Sequence, residues 1–375
     1  MRRFFLMRIL PGRKGFTLVE MLVAITVLVI LLGILFTITN TVAKTVVNAS
    51  VKIDTFAAAR SAFDVMSQRL SQATLNTYWD YDNPIAPTVY YRQSDLQFLV
   101  RQNQQNNTGG TYSGYGQEVY FSTPCMYSAD STLRSTDGLL NACAFFVTYG
   151  PDTNFRPGTL SSSTRYRYRL MQGLEPTENL ATYSGWTATP TGTTTGAWTS
   201  YWNGQATYWN THAWINNTIG NPGTGTPNTN DTPLVNNVIA LIIWPRLSPV
   251  DDPTGNVLTR NYTYDSQGAE STLAASGTQP KTSNQLPPTV QITMIVISET
   301  SAARIDTHSA TPPSVIENAL KNKFNGSSTS DCSTYTQYQS DLASVSASLS
   351  AAHITFEILN TSVTMKESKW SDNSQ

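Results

Sequence analysis

The chain has 375 residues, of which 13% are charged, with 24 basic side chains against 25 acidic ones. That balance argues against a nucleic-acid partner, because phosphate recognition needs clustered Lys and Arg. Few charges among abundant Thr, Ser, Asn and Gly describe an exported polar surface, on a chain long enough for one large or two small domains.

The first 15 residues hold five basic side chains, Arg2, Arg3, Arg8, Arg13 and Lys14, and no acid. Without them 19 basic residues face 25 acidic ones, a net charge near −6. From Met21 to Ala43 no side chain is charged. At ~1.5 Å per residue that run reaches ~35 Å as a helix, enough to cross a bilayer core. The basic head is expected to stay cytoplasmic and the long remainder to face the other side. Such a segment can be an ordinary secretory signal, cleaved near Ala43 or Ala49. The alternative is a leader cut before the apolar run, and Glu20 favours it. A carboxylate inside a span costs about 2.5–3.5 kcal/mol at its centre, less near its end, and therefore usually has a partner. Gly33 is the one helix-weakening residue of the span and reads as a point of close helix packing.

The helical pattern continues past the span. Ile53, Phe56, Phe63, Met66, Leu70 and Ala73 recur on one face, with Arg60, Asp64 and Arg69 between them. A continuous helix from Phe16 to about Thr77, ~90 Å long, is expected. Its residues 16–43 would form a transmembrane or filament-core half. Residues 44–78 would form an amphipathic half packed on a sheet, after a Val- and Thr-rich joint at 42–55 of weaker helical propensity. Tyr78-Trp79-Asp80-Tyr81 reads as part of the break that ends it.

Residues 79–370 then read as an antiparallel sheet domain. Short β-like runs are expected at 89–91, 96–101, 118–123, 144–149, 166–171, 238–244, 290–298, 354–359 and 362–366. The alternation in Tyr166-Arg-Tyr-Arg-Leu suggests a strand with one wet face, whereas Val238–Trp244 and Ile292–Ile297 read as central. Helical spacing recurs at 314–324 and 337–352. A long helix followed by an antiparallel sheet places the chain in the α+β class. Three low-complexity insertions, 102–116, 181–233 and 254–287, interrupt the sheet. The second holds Trp186, Trp198, Trp202, Trp209 and Trp214. These read first as structural staples and, as the alternative, as a surface for glycan or protein.

No catalytic constellation emerges. His212, His308 and His353 are isolated, no Cys/His spacing fits zinc, and neither a nucleophile elbow nor a phosphate loop occurs. No cofactor is expected. Asp251-Asp252-Pro-Thr-Gly-Asn has oxygen ligands suited to calcium but lacks the EF-hand spacing, and reads first as an Asx/Pro turn. Three cysteines allow one disulfide and one free thiol. Cys125 and Cys143 flank expected neighbouring strands and are the favoured pair, with three free thiols as the alternative.

Gly15 followed by Phe16-Thr17-Leu18-Val19-Glu20, after a basic leader and before an uninterrupted apolar run, resembles the processing motif of the type IV pilin and pseudopilin superfamily. The resemblance covers about the first sixth of the chain. It implies a pilin-like fold, cleavage between Gly15 and Phe16 by a prepilin peptidase, and N-methylation of Phe16 by the same enzyme. It also implies assembly with other pilin-like subunits, with Glu20 pairing with the Phe16 amine of a neighbour. The setting would be the bacterial inner membrane, with the C-terminal domain exported and later carried on a filament. More narrowly, Tyr166-Arg-Tyr-Arg-Leu-Met, Asn237-Val-Ile-Ala-Leu-Ile-Ile-Trp-Pro-Arg, Leu286-Pro-Pro-Thr-Val and Lys369-Trp-Ser resemble the pilin-like family called Verru_Chthon cassette protein C. Greater length and the insertions set the chain apart from small bulk pilins.

Overall fold

One helix, α1 (Leu18–Ser71), opens the computed structural model. The structure describes residues 15–81, 87, 90–102, 115–133, 136, 138–153, 155, 164–180, 230–247, 262–267, 282–324 and 335–368. It divides into two compact units, Met1–Val51 and Lys52–Gln375. In the first, apolar side chains are exposed, Leu31 and Leu35 by 57% and 59%. The hydroxyls there turn inward on the backbone. Thr37, Thr41 and Thr45 each donate to the carbonyl four residues earlier, at 2.8–2.9 Å. Thr26 does the same to Val23 O at 2.8 Å. No hydroxyl of this set is left needing water, which suits a helix in hydrocarbon.

In the second unit α1 buries Ala59, Ala62, Phe63, Met66 and Leu70, at helical steps of three and four. Phe56 is partly buried beside them, whereas Ile53, expected on this face, is 66% exposed. The helix stops at Ser71 rather than near Thr77 because the chain is claimed by the sheet. Thr74 N–H donates to Ser122 O at 2.9 Å, and Ser71 O accepts from Lys366 N–H at 3.2 Å.

The strands follow in chain order. They are β1 (Tyr78–Tyr81), β2 (Tyr90–Gln93), β3 (Leu99–Gln102), β4 (Gln117–Pro124), β5 (Leu140–Pro151) and β6 (Tyr166–Leu174). After them come β7 (Asp231–Asn236), β8 (Val238–Arg246), β9 (Tyr264–Asp265), β10 (Thr289–Ile297) and β11 (Phe356–Thr364). Helices α2 (Glu299–Ile305), α3 (Ser314–Leu320) and α4 (Tyr335–Ala351) lie between the last two strands. A six-stranded antiparallel sheet has the order β7-β6-β5-β4-β3-β9, a three-stranded one β11-β10-β8, and β1-β2 stand as a separate ribbon.

β7 and β8 form one strand bent at Asn237, which serves both sheets. Asn237 N–H donates to Tyr168 O of β6 at 2.7 Å, while its carbonyl accepts from Ile297 N–H of β10 at 2.9 Å. The bend needs φ +67°, a left-handed conformation that Asn tolerates better than most residues. Its side-chain Nδ2 donates to Glu299 Oε2 at 2.6 Å. Gly116 has a comparable constraint. Its φ is +91°, and a Cβ there would lie 2.0 Å from Leu241 O.

α1, both sheets and α2–α4 share one core, with Trp244, Ile243 and Leu241 fully buried on β8. The six-stranded sheet is also covered on its other face, where Leu99, Tyr120, Ala142, Ala144, Phe146 and Met171 form a second cluster. The wet face expected for β6 is therefore dry. Arg169, 3% exposed, donates to Gly150 O at 3.0 Å and Pro151 O at 3.2 Å and lies over the Phe155 ring.

Four elements depart from the sequence expectation. β1 forms where a break was read. β7 takes residues 231–233 out of the second insertion, β9 lies inside the third, and α2 was not foreseen. The two runs expected at 354–359 and 362–366 are one strand, β11, paired residue by residue with β10. Leu174 N–H donates to Asn230 O at 3.2 Å, so the chain before and after residues 181–229 meets on neighbouring strands.

Candidate functional site

Gly15, Phe16 and Thr17 precede the helix without helical structure, and all three are exposed. Phe16 shows 84% of its surface. At Gly15 an added Cβ would meet nothing within 4 Å. The chain's own fold therefore does not require glycine at that position. The Gly15–Phe16 amide is an accessible, irregular peptide bond directly before a helix, the kind of site a peptidase can reach.

Thr17 and Glu20 close the helix start on each other. Thr17 N–H and Thr17 Oγ1 both donate to Glu20 Oε2 at 2.9 Å, and Glu20 N–H donates back to Thr17 Oγ1 at 3.2 Å. Thr17 O accepts from Met21 N–H at 3.2 Å. This is a reciprocal capping box that satisfies two of the N–H groups every helix start leaves over. It also puts a negative charge at the positive end of the helix dipole. Glu20 is thus partnered within its own chain, where the sequence reading supplied only a neighbour's amine. The signal was present as Thr-x-x-Glu before an apolar run.

The other expected site residues do not gather around this segment. Cys125 and Cys143 are free thiols, which corrects the expected bridge. β4 and β5 pair Phe121 with Cys143, four residues short of Cys125. Cys125 lies beyond the end of β4, where its N–H turns back on Thr123 O at 3.0 Å. Burial pushes both thiols up from their ordinary pKa, opposed at Cys125 by Arg69. Cys332, the calcium candidates Asp251 and Asp252, and the five tryptophans of the second insertion lie outside the described residues. Among the described residues no three His, Cys, Asp or Glu side chains are grouped to hold a metal ion.

A family described as the prokaryotic N-terminal methylation motif matches residues 10–36, which contain the Gly15–Phe16 bond, the capping box and the start of the apolar run. No curated protein and no solved structure matches the chain. Among the described residues α1 alone is long and apolar enough to cross a membrane. At its N-terminus the chain is like the type IV pilins and pseudopilins, carrying a prepilin-type methylation motif at the head of a membrane-length helix followed by antiparallel sheets.

Proposed function

We propose that the chain is a minor or tip-type structural subunit of a type IV pilus-like filament or a type II secretion-like pseudopilus, without catalytic activity of its own. A prepilin peptidase cuts it between Gly15 and Phe16 and methylates the new amine. The apolar part of α1 holds it in the inner membrane as a single-pass protein, and the unit from Lys52 onward is exported. Assembly with other pilin-like subunits then withdraws the exposed apolar surface of α1 from lipid into a bundle of such helices. Glu20 faces the Phe16 amine of a neighbour there, where an unpaired charge would be costly. The resemblance to Verru_Chthon cassette protein C names the narrower family within this reading.

The observation that carries the proposal is the methylation motif at residues 10–36 running directly into an exposed apolar helix. The open surroundings of Gly15 support it, because they leave recognition by another protein as the reason for that glycine. Mass spectrometry of the N-terminal peptide tests it. The expected product begins with methylated Phe16, and Gly15→Arg leaves full-length precursor in the membrane. A mature terminus after Ala43 or Ala49 overturns the reading.

A further inference from the structure

The bend at Asn237 carries the chain from β7 to the second sheet and leaves one end of β6 with a single neighbour. β7 pairs with β6 as far as Arg169, opposite Asn236, whereas β5 continues alongside to Tyr166. A cleft of about 320 Å³ opens beside this end of β6. Arg165, Arg167 and Arg169 alternate along the chain with Tyr166 and Tyr168, and all three arginines line the cleft. Phe155, Pro233 and Leu234 supply its apolar wall.

The guanidinium groups are not equally engaged. Arg169 is held by the carbonyls of Gly150 and Pro151. Arg167 has only 10% of its side chain exposed. Its Nη1 donates to Asp306 Oδ2 at 2.9 Å and to Tyr166 O at 3.3 Å, and its Nη2 to Glu299 Oε1 at 3.2 Å. A guanidinium has five N–H donors, so Nε and one N–H of Nη2 are left over on a nearly buried side chain that lines the cleft. Arg165 is exposed, and its guanidinium makes no hydrogen bond or ion pair with a described residue, although its backbone N–H donates to Asp152 Oδ1 at 3.0 Å. Two residues apart on a strand, Arg165 and Arg167 stand ~7 Å apart along the backbone, close enough for both side chains to reach one carboxylate. The bonds to Asp306 and Glu299 fix Arg167 before anything binds, which lowers the entropic cost of binding.

We propose that the cleft binds a small organic monocarboxylate, its carboxylate held between Arg165 and Arg167 and its apolar body against Phe155, Pro233 and Leu234. The donor set argues for the carboxylate, because guanidinium forks match its two oxygens in plane. Charge argues for a single one. Three arginines against Asp152 and Glu299 leave one positive charge on the lining, and Asp306 is buried behind Arg167. That balance suits a monoanion and disfavours a phosphate, which carries two charges, or a polyanion. Size sets the rest. At ~30 Å³ for each water-sized group the cleft takes about ten non-hydrogen atoms, the lower end of small-molecule pockets. The site lies wholly within the unit from Lys52 onward, so it is independent of how α1 assembles.

The test titrates the full chain, in nonionic detergent at neutral pH, with hexanoate, with 3-phenylpropionate and with the amides of both, followed by calorimetry. At least one acid is expected to bind with a Kd of about 1 mM or tighter, as a ligand of about ten atoms implies. Its amide is expected to bind at least about tenfold more weakly, and Arg165→Gln to weaken the acid by at least about tenfold, from the loss of a charged hydrogen-bond donor. Arg165→Lys keeps the charge but not the fork and is expected to fall between. Arg165 holds no other described side chain, so the thermal melting of these variants is expected to match the wild type. An N-acetylated peptide ending in phenylalanine identifies the source. Tighter binding than the free acid assigns the carboxylate to a chain end and weaker binding to a free small molecule, and both keep the site. Absence of binding by both acids overturns the proposal. Equal binding of acid and amide overturns it as well, since the charge is then not recognised, and so does acid binding that Arg165→Gln leaves unchanged.

Discussion

Leu31 and Leu70 lie on the same helix and have the same side chain, yet the first is 57% exposed and the second fully buried. Around Leu70 the sequence alternates. Alanines at 59 and 62 let the helix approach its core, and polar residues such as Arg60 and Asp64 keep the opposite side wet. Around Leu31 every face is apolar, so no single packing face is defined. One half of α1 is solved by its own chain. The other half presents a problem that only lipid or other helices can solve. Composition alone does not separate these cases, because both halves are rich in apolar residues. Pattern does.

The largest expected effect lies at the head of the exposed half. Glu20→Ala removes the carboxylate half of the capping box and the charge, and is expected to abolish incorporation into sheared filaments while leaving membrane insertion and the unit from Lys52 onward intact. Losing one partner of a buried ion pair costs about 3–5 kcal/mol. Glu20→Gln keeps an acceptor for Thr17 and separates the two roles. If the glutamine variant enters filaments at the wild-type level, capping rather than charge is what assembly uses.

Next comes the contrast between the two leucines. Leu70→Ala is expected to destabilise the unit from Lys52 onward by about 2–5 kcal/mol in denaturant melts, from lost burial and the cavity left behind. Leu31→Ala is expected to leave the same transition unmoved. Equal losses from the two substitutions would erase the distinction between the halves.

Asn237→Ala is expected to cost roughly 1–2 kcal/mol, since alanine resists the left-handed bend that joins the sheets. Asn237→Gly should recover most of it, and a glycine variant as weak as the alanine one would move the cost to the lost bond to Glu299.

The smallest effect is set by pH. Glu178 accepts from Ser128 Oγ and from the Ala129 and Asp130 N–H groups at 2.8–2.9 Å. Its own backbone N–H, then those donors, hold its carboxyl below the ordinary range, against some desolvation. A folded pKa below the unfolded one stabilises above the unfolded value and is lost as pH falls through the folded one. Glu178→Gln should therefore lower stability slightly at neutral pH, flatten the acid limb below about pH 4 and approach the wild type at the acid end.

The α+β class, most strands and the packed face of α1 were legible because periodicity reports burial directly. The methylation motif was legible as a string of residues. What was missed depends on partners distant in sequence. Ser122, far along the chain, ends the helix before Thr77 by taking Thr74. β7 carries Pro233 and adjoins a low-complexity stretch, so its pairing with β6 had no local sign. The aromatic run of β1 looked like a breaker because its strand partner follows several residues later. α2 is seven residues long, too short for a helical period, although Ser298 caps it by accepting from Ser301 N–H. The capping box at Thr17 and Glu20 was readable and was passed over for a longer-range role. The cysteines misled because flanking two paired strands does not place two residues opposite each other.

The bond from Leu174 to Asn230 has an evolutionary consequence. Two strands of one sheet are joined there through residues 175–229, and their pairing is set by β6 and β7 rather than by the connection. Closing a flexible loop grows costlier only with the logarithm of its length, about 0.6 kcal/mol per doubling. Added length beyond Leu180, past the residues that bind Ala142, Tyr127 and Asp130, therefore costs the pairing of these strands little in closure entropy. The sheet holds its register while that stretch lengthens.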